Sequence, residues 1–401
     1  MFGIADQGLI AVVNLALVVF AAQGGTQSIA AFALVTAVYF GLLTLGRAVL
    51  AEPLLALPLG DRGGPYLRIA FSLSIAGGAL AMLCTAVALP FEGNYFVIGV
   101  VIGVMLGAEF VRIRAYALER PTAALAATTV SVCILFIGGL SDHLYDPNRW
   151  QRLLVLWAVA GLVSALVCLA LTRKNTPPSL TAKGWYKTKI WKNAKSLLID
   201  AVGIVLIAHV SLYIISHFGV PSDVAAIRAL SAILSPLSLV FTGLTLSLTP
   251  LLSTKAEQAK SAIRVFWVAI LGVSITGGAL ALSVGQTIIA MVFGLDATPT
   301  RLALIIAVLS AVLFALGSPW LAQVRVTGKY ASIGWMRFGS SVVLVSALAA
   351  LSTLQQLPVV FFVMQGLQAL VIALTAAVLA RQARSRANDF AEVGSDSSAS
   401  S

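Results

Sequence analysis

A chain of 401 residues that is 59% hydrophobic and only 10% charged, with a mean hydropathy of +0.98, carries more apolar side chain than one soluble core can hide. Its net charge of +11 would point to nucleic acid in a soluble domain, but the basic residues fall in short segments between apolar runs, so no nucleic-acid partner is expected. The runs are about 20 residues long, the length of helices that cross roughly 30 Å of hydrocarbon, and they lack the weak ten-residue alternation of an outer-membrane barrel.

In chain order the runs predict spans at 4–22, 27–57, 66–89, 95–115, 121–141, 151–172, 196–217, 222–252, 262–283, 301–323, 332–352 and 356–380. The fold class expected from them is an all-α polytopic membrane protein of about twelve transmembrane helices. The second and eighth runs exceed the hydrocarbon thickness and require tilt, a kink or extension into water. The first run follows Asp6 rather than a basic region, so it reads as a span and not as a signal peptide. Cys84, Cys133 and Cys168 fall inside spans and read as small apolar packing residues. Gln286 to Gly294 is too short to cross and reads as an interfacial or re-entrant turn on the outer face.

With the N-terminus in the cytoplasm, 21 of the 26 Lys and Arg lie in inner segments, so a multi-pass protein of the cell membrane with both termini in the cytoplasm is expected. The basic segment from Arg173 to Lys195 divides the chain into a lobe of six spans at 1–172, a cytoplasmic linker at 173–195 and a second lobe at 196–381. A Ser-rich tail at 382–401 reads as disordered. The linker lysines interleave with Trp185, Tyr186 and Trp191, a composition suited to an interface with anionic lipid. The halves also repeat. Asp6 opens the first span and Gly25 closes it 19 residues later, as Asp200 and Gly219 do in the seventh; the long spans that follow carry Pro53 and Pro250. An even number of helices per half keeps both halves in one orientation, with an axis along the membrane normal and a cleft between them.

Charges inside these spans each cost roughly 2.5 to 3.5 kcal/mol on insertion scales, so each needs a reason. Arg47 and Glu52 lie in the second span, five residues apart and therefore about 140° around an ideal helix, off the i+3 and i+4 pairing positions. Pro53 distorts the local turn, which leaves two readings open: an Arg–Glu lock between helices, or an arginine facing the cleft. Arg228 stands near the outer end of the eighth span, where it either snorkels outward or joins Arg47 in lining a cleft fit for a phosphate or pyrophosphate. His209 and Asn14 occupy near-equivalent places in the seventh and first spans, and a lone membrane histidine is most often a helix–helix hydrogen-bonding residue. Asp6 and Asp200 read as helix N-terminal carboxylates favoured by the macrodipole, with proton or cation coupling as the alternative. Glu109, one turn before Arg112, reads as half of an inner-surface ion pair. No Walker lysine, His-Glu-x-x-His, nucleophile elbow or metal-ligand cluster is present, and the outer loops are too short to hold a glycan acceptor; the chain is expected not to be an enzyme.

The run Gly60-Asp61-Arg62-Gly63-Gly64 resembles the cytoplasmic loop motif of major facilitator transporters, though Pro65-Tyr66 stand where that motif has a basic pair. A wider set, Asp6-Gln7, Asn14, Ala31-Phe32-Ala33-Leu34, Tyr39, Arg47 and Glu52-Pro53-Leu54-Leu55, with Phe293-Gly294 and Gly328-Lys329 later, resembles the polysaccharide flippases of the multidrug/oligosaccharidyl-lipid/polysaccharide (MOP) exporter superfamily, actinobacterial type. The resemblance implies a MATE-like fold of two six-helix lobes and a flippase that moves a polyprenyl-pyrophosphate-linked oligosaccharide to the outer leaflet by alternating access. It implies no cofactor, a possible coupling to a proton or cation gradient, and as partners the lipid-linked glycan, membrane lipids and glycan assembly or polymerising proteins. On it, Arg47, Arg228, Asn14 and Tyr39 are candidate substrate-binding residues, while Glu52, Pro53, Asp6, Asp200 and His209 are candidates for gating or coupling. Basic residues that some relatives carry on the first helix are absent here. A cation-coupled drug exporter of the same fold and a non-transporting scaffold of a glycan synthesis complex are the alternatives.

Overall fold

A computed structural model describes residues 2–55, 57, 65–88, 94–141, 149–172, 182–235, 256–294, 298–326, 330–351 and 356–398. Among these residues the backbone is helical wherever it is regular, as hydrocarbon demands of a chain that must satisfy every amide internally. Twelve helices follow in order among them. They are α1 Phe2–Ala22, α2 Thr26–Leu55, α3 Tyr66–Ala88, α4 Tyr95–Ala117, α5 Pro121–Ser141, α6 Arg149–Thr172, α7 Ala182 to Phe218, α8 221–235, α9 Ala256–Phe293, α10 Arg301–Val326, α11 Tyr330–Ala350 and α12 Leu357–Ser398. Ten of these are long and apolar enough to cross a bilayer; α1 contributes a shorter apolar stretch, Gly8–Ala22. The second part of the eighth predicted span, 236–252, lies outside the described residues, as does the Gly60–Gly64 run.

The packing repeats with a period of six helices. In the first half α1 packs on α5, α3 on α4, and α6 on both α4 and α5; in the second α7 packs on α11, α9 on α10, and α12 on both α10 and α11. Adding six to each index turns the first set into the second, which is the parallel two-lobe arrangement expected from the even helix count. The halves meet where α2 lies along α7 and where α1 touches α9.

The most enclosed span is α2: 72% of its most apolar window is buried, against 28% in α3, α9 and α11. Ser28 through Tyr39 is buried without interruption, so this helix is apolar all round because it is surrounded all round. Its inner end is irregular for a covalent reason. Pro53 has no amide hydrogen to give the carbonyl four residues back, that of Val49, and the helix widens into a π turn over Arg47–Ala51. The hydroxyl of Tyr186 donates to the Val49 carbonyl at 3.2 Å instead. Tyr186 belongs to α7, which itself contains two π turns, Tyr186–Ile190 and Leu206–Val210.

Several expectations are corrected. Gln286 to Phe293 is no separate turn but the last two turns of α9, a helix of 38 residues, or about 57 Å at 1.5 Å per residue. The residues from 382 to 398, expected to be disordered, continue α12 as helix, since a chain leaving a preformed helix avoids the nucleation penalty. Of the three cysteines only Cys168 packs inside, its thiol donating to the Val111 carbonyl at 3.7 Å; Cys84 and Cys133 are exposed on the outer faces of their helices.

Two predictions follow from this packing. Helices α3 and α4 approach so closely that a Cβ on Gly78 would stand 2.7 Å from the Gly99 carbonyl oxygen, a backbone atom that cannot yield; Gly78→Val is expected to cost about 1 to 3 kcal/mol and to lower the unfolding temperature in detergent. Tyr186→Phe is expected to cost about 1 kcal/mol in the native sequence and almost nothing in Pro53→Ala, whose restored amide returns to Val49 its helical donor. Additive costs in a double-mutant cycle would contradict the proline explanation.

Candidate functional site

Three constellations lie at the inner half and the seam of the two lobes. The first belongs to the N-terminal half. Arg112 on α4 donates to Glu109, one turn earlier, through Nε to Oε2 at 2.8 Å and Nη2 to Oε1 at 2.6 Å. Its Nη1 reaches Asp6 on α1, whose same oxygen accepts from the Tyr116 hydroxyl. Arg47 on α2 donates through Nη2 to Glu109 Oε1. Two guanidiniums and two carboxylates from three helices thus cancel within one network. Side-chain exposure rises along it from 0% at Asp6 through 7% at Arg112 and 11% at Glu109 to 39% at Arg47, so Arg47 is its open end.

The second constellation is its counterpart in the C-terminal half. Asp200 on α7 accepts from Arg337 Nη1 and from the Tyr330 hydroxyl, both on α11 and both at 2.6 Å. The two helices can present these groups to one another because their backbones touch: a Cβ on Gly334 would lie 3.1 Å from the Ser196 carbonyl oxygen. Each lobe therefore neutralises an aspartate of its first helix with one arginine and one tyrosine, although the supporting helices, α4 and α11, are not repeat equivalents. The macrodipole reading of both aspartates is corrected: α1 begins at Phe2 and α7 at Ala182, so neither carboxylate is terminal.

Beside Asp200 the second half encloses a cavity of about 480 Å³. Its wall is mostly aliphatic, with Asp200, Arg337, Tyr330, Gln365, Gln368 and the serines 231, 310 and 318 as polar points, and α2 closes it with Thr44, Ala48 and Glu52. Part of this polarity is already committed, since Ser310 Oγ donates to the Phe362 carbonyl at 2.6 Å and Gln368 to Ser341 Oγ. Glu52 is exposed on this wall.

The third is at the seam. Arg228 on α8 does not snorkel outward. Its guanidinium lies 5.8 Å over the Phe40 ring of α2, and its Nε is buried without a hydrogen-bond partner. Phe40 and Arg47 are seven residues apart, two helical turns and about 10 Å along one face of α2, so both candidate arginines lie along that face. The Nε of Arg47 is likewise buried without a partner. His209, in the second π turn of α7, packs where α7 crosses Gly41.

The remaining candidates separate. Tyr39 is 4% exposed and meets Trp157 of α6 edge-on at 4.8 Å, inside the first half. Asn14 is half-buried on α1. Pro53 is buried and acts on the backbone as described above. Of the readings left open for Arg47 and Glu52, the structure pairs Arg47 with Glu109, while Glu52 lines the cavity. Sequence reasoning missed Arg112 and Tyr116 as partners of Asp6, and Tyr330 and Arg337 as partners of Asp200. The only available signal was chemical, in that a membrane-embedded carboxylate requires a donor somewhere.

No family model and no curated protein matches the sequence. Solved structures do. A multidrug resistance MATE family transporter of the MOP superfamily in an inward-facing conformation matches with a TM-score of 0.65 at 15% identity, over 96% of each chain. A Vibrio cholerae MATE transporter variant gives 0.63 at 13%, over 96% of this chain and 95% of the other. A MOP superfamily transporter from Pyrococcus furiosus gives 0.60 at 14%, over 95% and 93%. At such identities the likeness speaks for the fold, and it spans nearly the whole of each of these chains: this is a multi-pass membrane protein, helical in all the regular structure of its described residues, with the MATE-like fold seen in MOP superfamily transporters.

Proposed function

We propose that the chain is a transporter that moves a polyprenyl-pyrophosphate-linked oligosaccharide, or a related cell-envelope glycan precursor, from the inner to the outer leaflet by rocking of its two lobes. The observation that carries this reading is Arg228, a guanidinium at the seam with no carboxylate partner among the described residues, on the same face of α2 as the half-exposed Arg47. A cation left without a counter-ion in a low-dielectric seam favours an anionic ligand, and a planar guanidinium is the side chain best shaped for a diphosphate. The fold shared with MOP superfamily transporters supports alternating access. Energy would come from a proton or cation gradient, with Asp6, Asp200 and His209 as the titratable groups available, and glycan assembly or polymerising proteins would supply and receive the cargo.

One observation favours a second reading. The carboxylate of Glu52 is exposed on a largely aliphatic cavity, an arrangement suited to an amphipathic cation, as a drug exporter of this fold would carry.

Both readings are tested in vesicles containing the purified protein. Arg47→Gln and Arg228→Gln are each expected to slow leaflet transfer of a lipid-linked oligosaccharide about tenfold or more, the loss of one charge-assisted hydrogen bond. Transfer unchanged in the double variant overturns the glycan reading. Efflux of a cationic dye that vanishes in Glu52→Gln, with no glycan transfer by the native protein, establishes the second.

A further inference from the structure

We propose that Glu109 is a resident counter-ion which the substrate's diphosphate displaces from Arg47, and that Arg112 is the positioning residue that makes this exchange possible. The inference rests on the glycan reading above and assigns roles to two residues outside the predicted site.

Withdrawing a partner from a buried ion pair is ordinarily prohibitive, because the remaining charge is stranded in low dielectric. The geometry around Glu109 removes that obstacle. Its Oε1 accepts from Arg47 and from Arg112 Nη2 together, and its Oε2 accepts from Arg112 Nε. When Arg47 turns away, Glu109 keeps a two-point, charge-assisted contact with the Arg112 fork, the strongest geometry available to a carboxylate. Arg112 in turn remains anchored by Asp6, which is held by Tyr116. No charge is left alone at any step. Exposure decides which member leaves: Arg47 is 39% exposed and Arg112 only 7%. Arg47 also has a buried Nε without an acceptor, a donor that a phosphate oxygen could engage and Glu109 does not.

The exchange explains why an anion site would carry a carboxylate at all. Between transport events Arg47 has a partner, while the anion has only to outcompete one shared oxygen.

The test is binding of a short-chain isoprenyl pyrophosphate to the purified full-length protein in detergent. Glu109→Gln is expected to bind about tenfold more tightly, because Arg47 no longer has a charged competitor, and this gain is expected to vanish in an Arg47→Gln background. Arg112→Lys, which keeps the charge and loses the fork, is expected to bind more weakly than the native chain. A purely structural role for Glu109 would lower binding in both backgrounds. Native binding without a gain in Glu109→Gln overturns the exchange alone; no binding by either protein overturns the lipid-pyrophosphate reading and the exchange with it. Should Glu109→Gln fail to fold, unchanged affinity in Arg112→Lys overturns the exchange in its place.

Discussion

Local cancellation of buried charge organises the two networks around Asp6 and Asp200. Arg112 achieves it by facing two carboxylates at once, on its own helix and on α1, and thereby fixes α1 and α4 to one another. Arg337 does the same for α7 and α11 through Asp200. Such pairs give little net stability, since desolvation offsets most of the attraction, but breaking one would strand a charge at a cost of about 3 to 5 kcal/mol. They therefore act as rules about which helices can separate. Within each lobe the ionic ties make separation expensive; across the seam the described residues include single hydrogen bonds from Tyr186 and Tyr213 to backbone carbonyls of α2 and the Arg228 guanidinium over Phe40. The energetic grain of the molecule favours two bodies moving against each other over six helices loosening independently.

Against that background α2 has two faces with different business. Toward the first half it offers Arg47 to Glu109; toward the second it offers Thr44, Ala48 and Glu52 to the cavity. Five residues of ideal α-helix would set Glu52 about 140° from Arg47; the π turn, closed by the Glu52 amide on the Arg47 carbonyl, narrows that angle, and the one short segment serves both lobes.

Much of this was legible in the amino-acid order. The all-helical, many-span architecture and its two halves of six helices follow from apolar run length and from Asp6 and Asp200 standing at equivalent places in the first and seventh runs, both local properties. The five-residue spacing of Arg47 and Glu52 left their pairing open, and the partner Arg47 takes lies 62 residues away. Arg112 and Arg337 lie 106 and 137 residues from their aspartates, on helices that are not equivalent in the repeat. No periodicity encodes which neighbour a helix will have, so these partners were invisible. The extension of α9 was missed for a different reason: between Ser283 and Phe293 only Gly285 opposes a helix, and its penalty of about 1 kcal/mol is too small to end one.

The attachments of α7 have a mechanical consequence. Tyr186 fastens its beginning to α2, Asp200 fastens its middle to α11, and Tyr213 fastens its end to α2 again. It is a beam held at both ends by one body and at the centre by the other, with arms of about 20 Å on each side at 1.5 Å per residue. Relative displacement of the two bodies loads such a beam in three-point bending, and the strain concentrates between the supports. Both π turns of α7, Tyr186–Ile190 and Leu206–Val210, lie on those arms, one on either side of the central support. A widened turn yields before a regular one, so α7 is compliant on both sides of Asp200 and stiff where it grips α11.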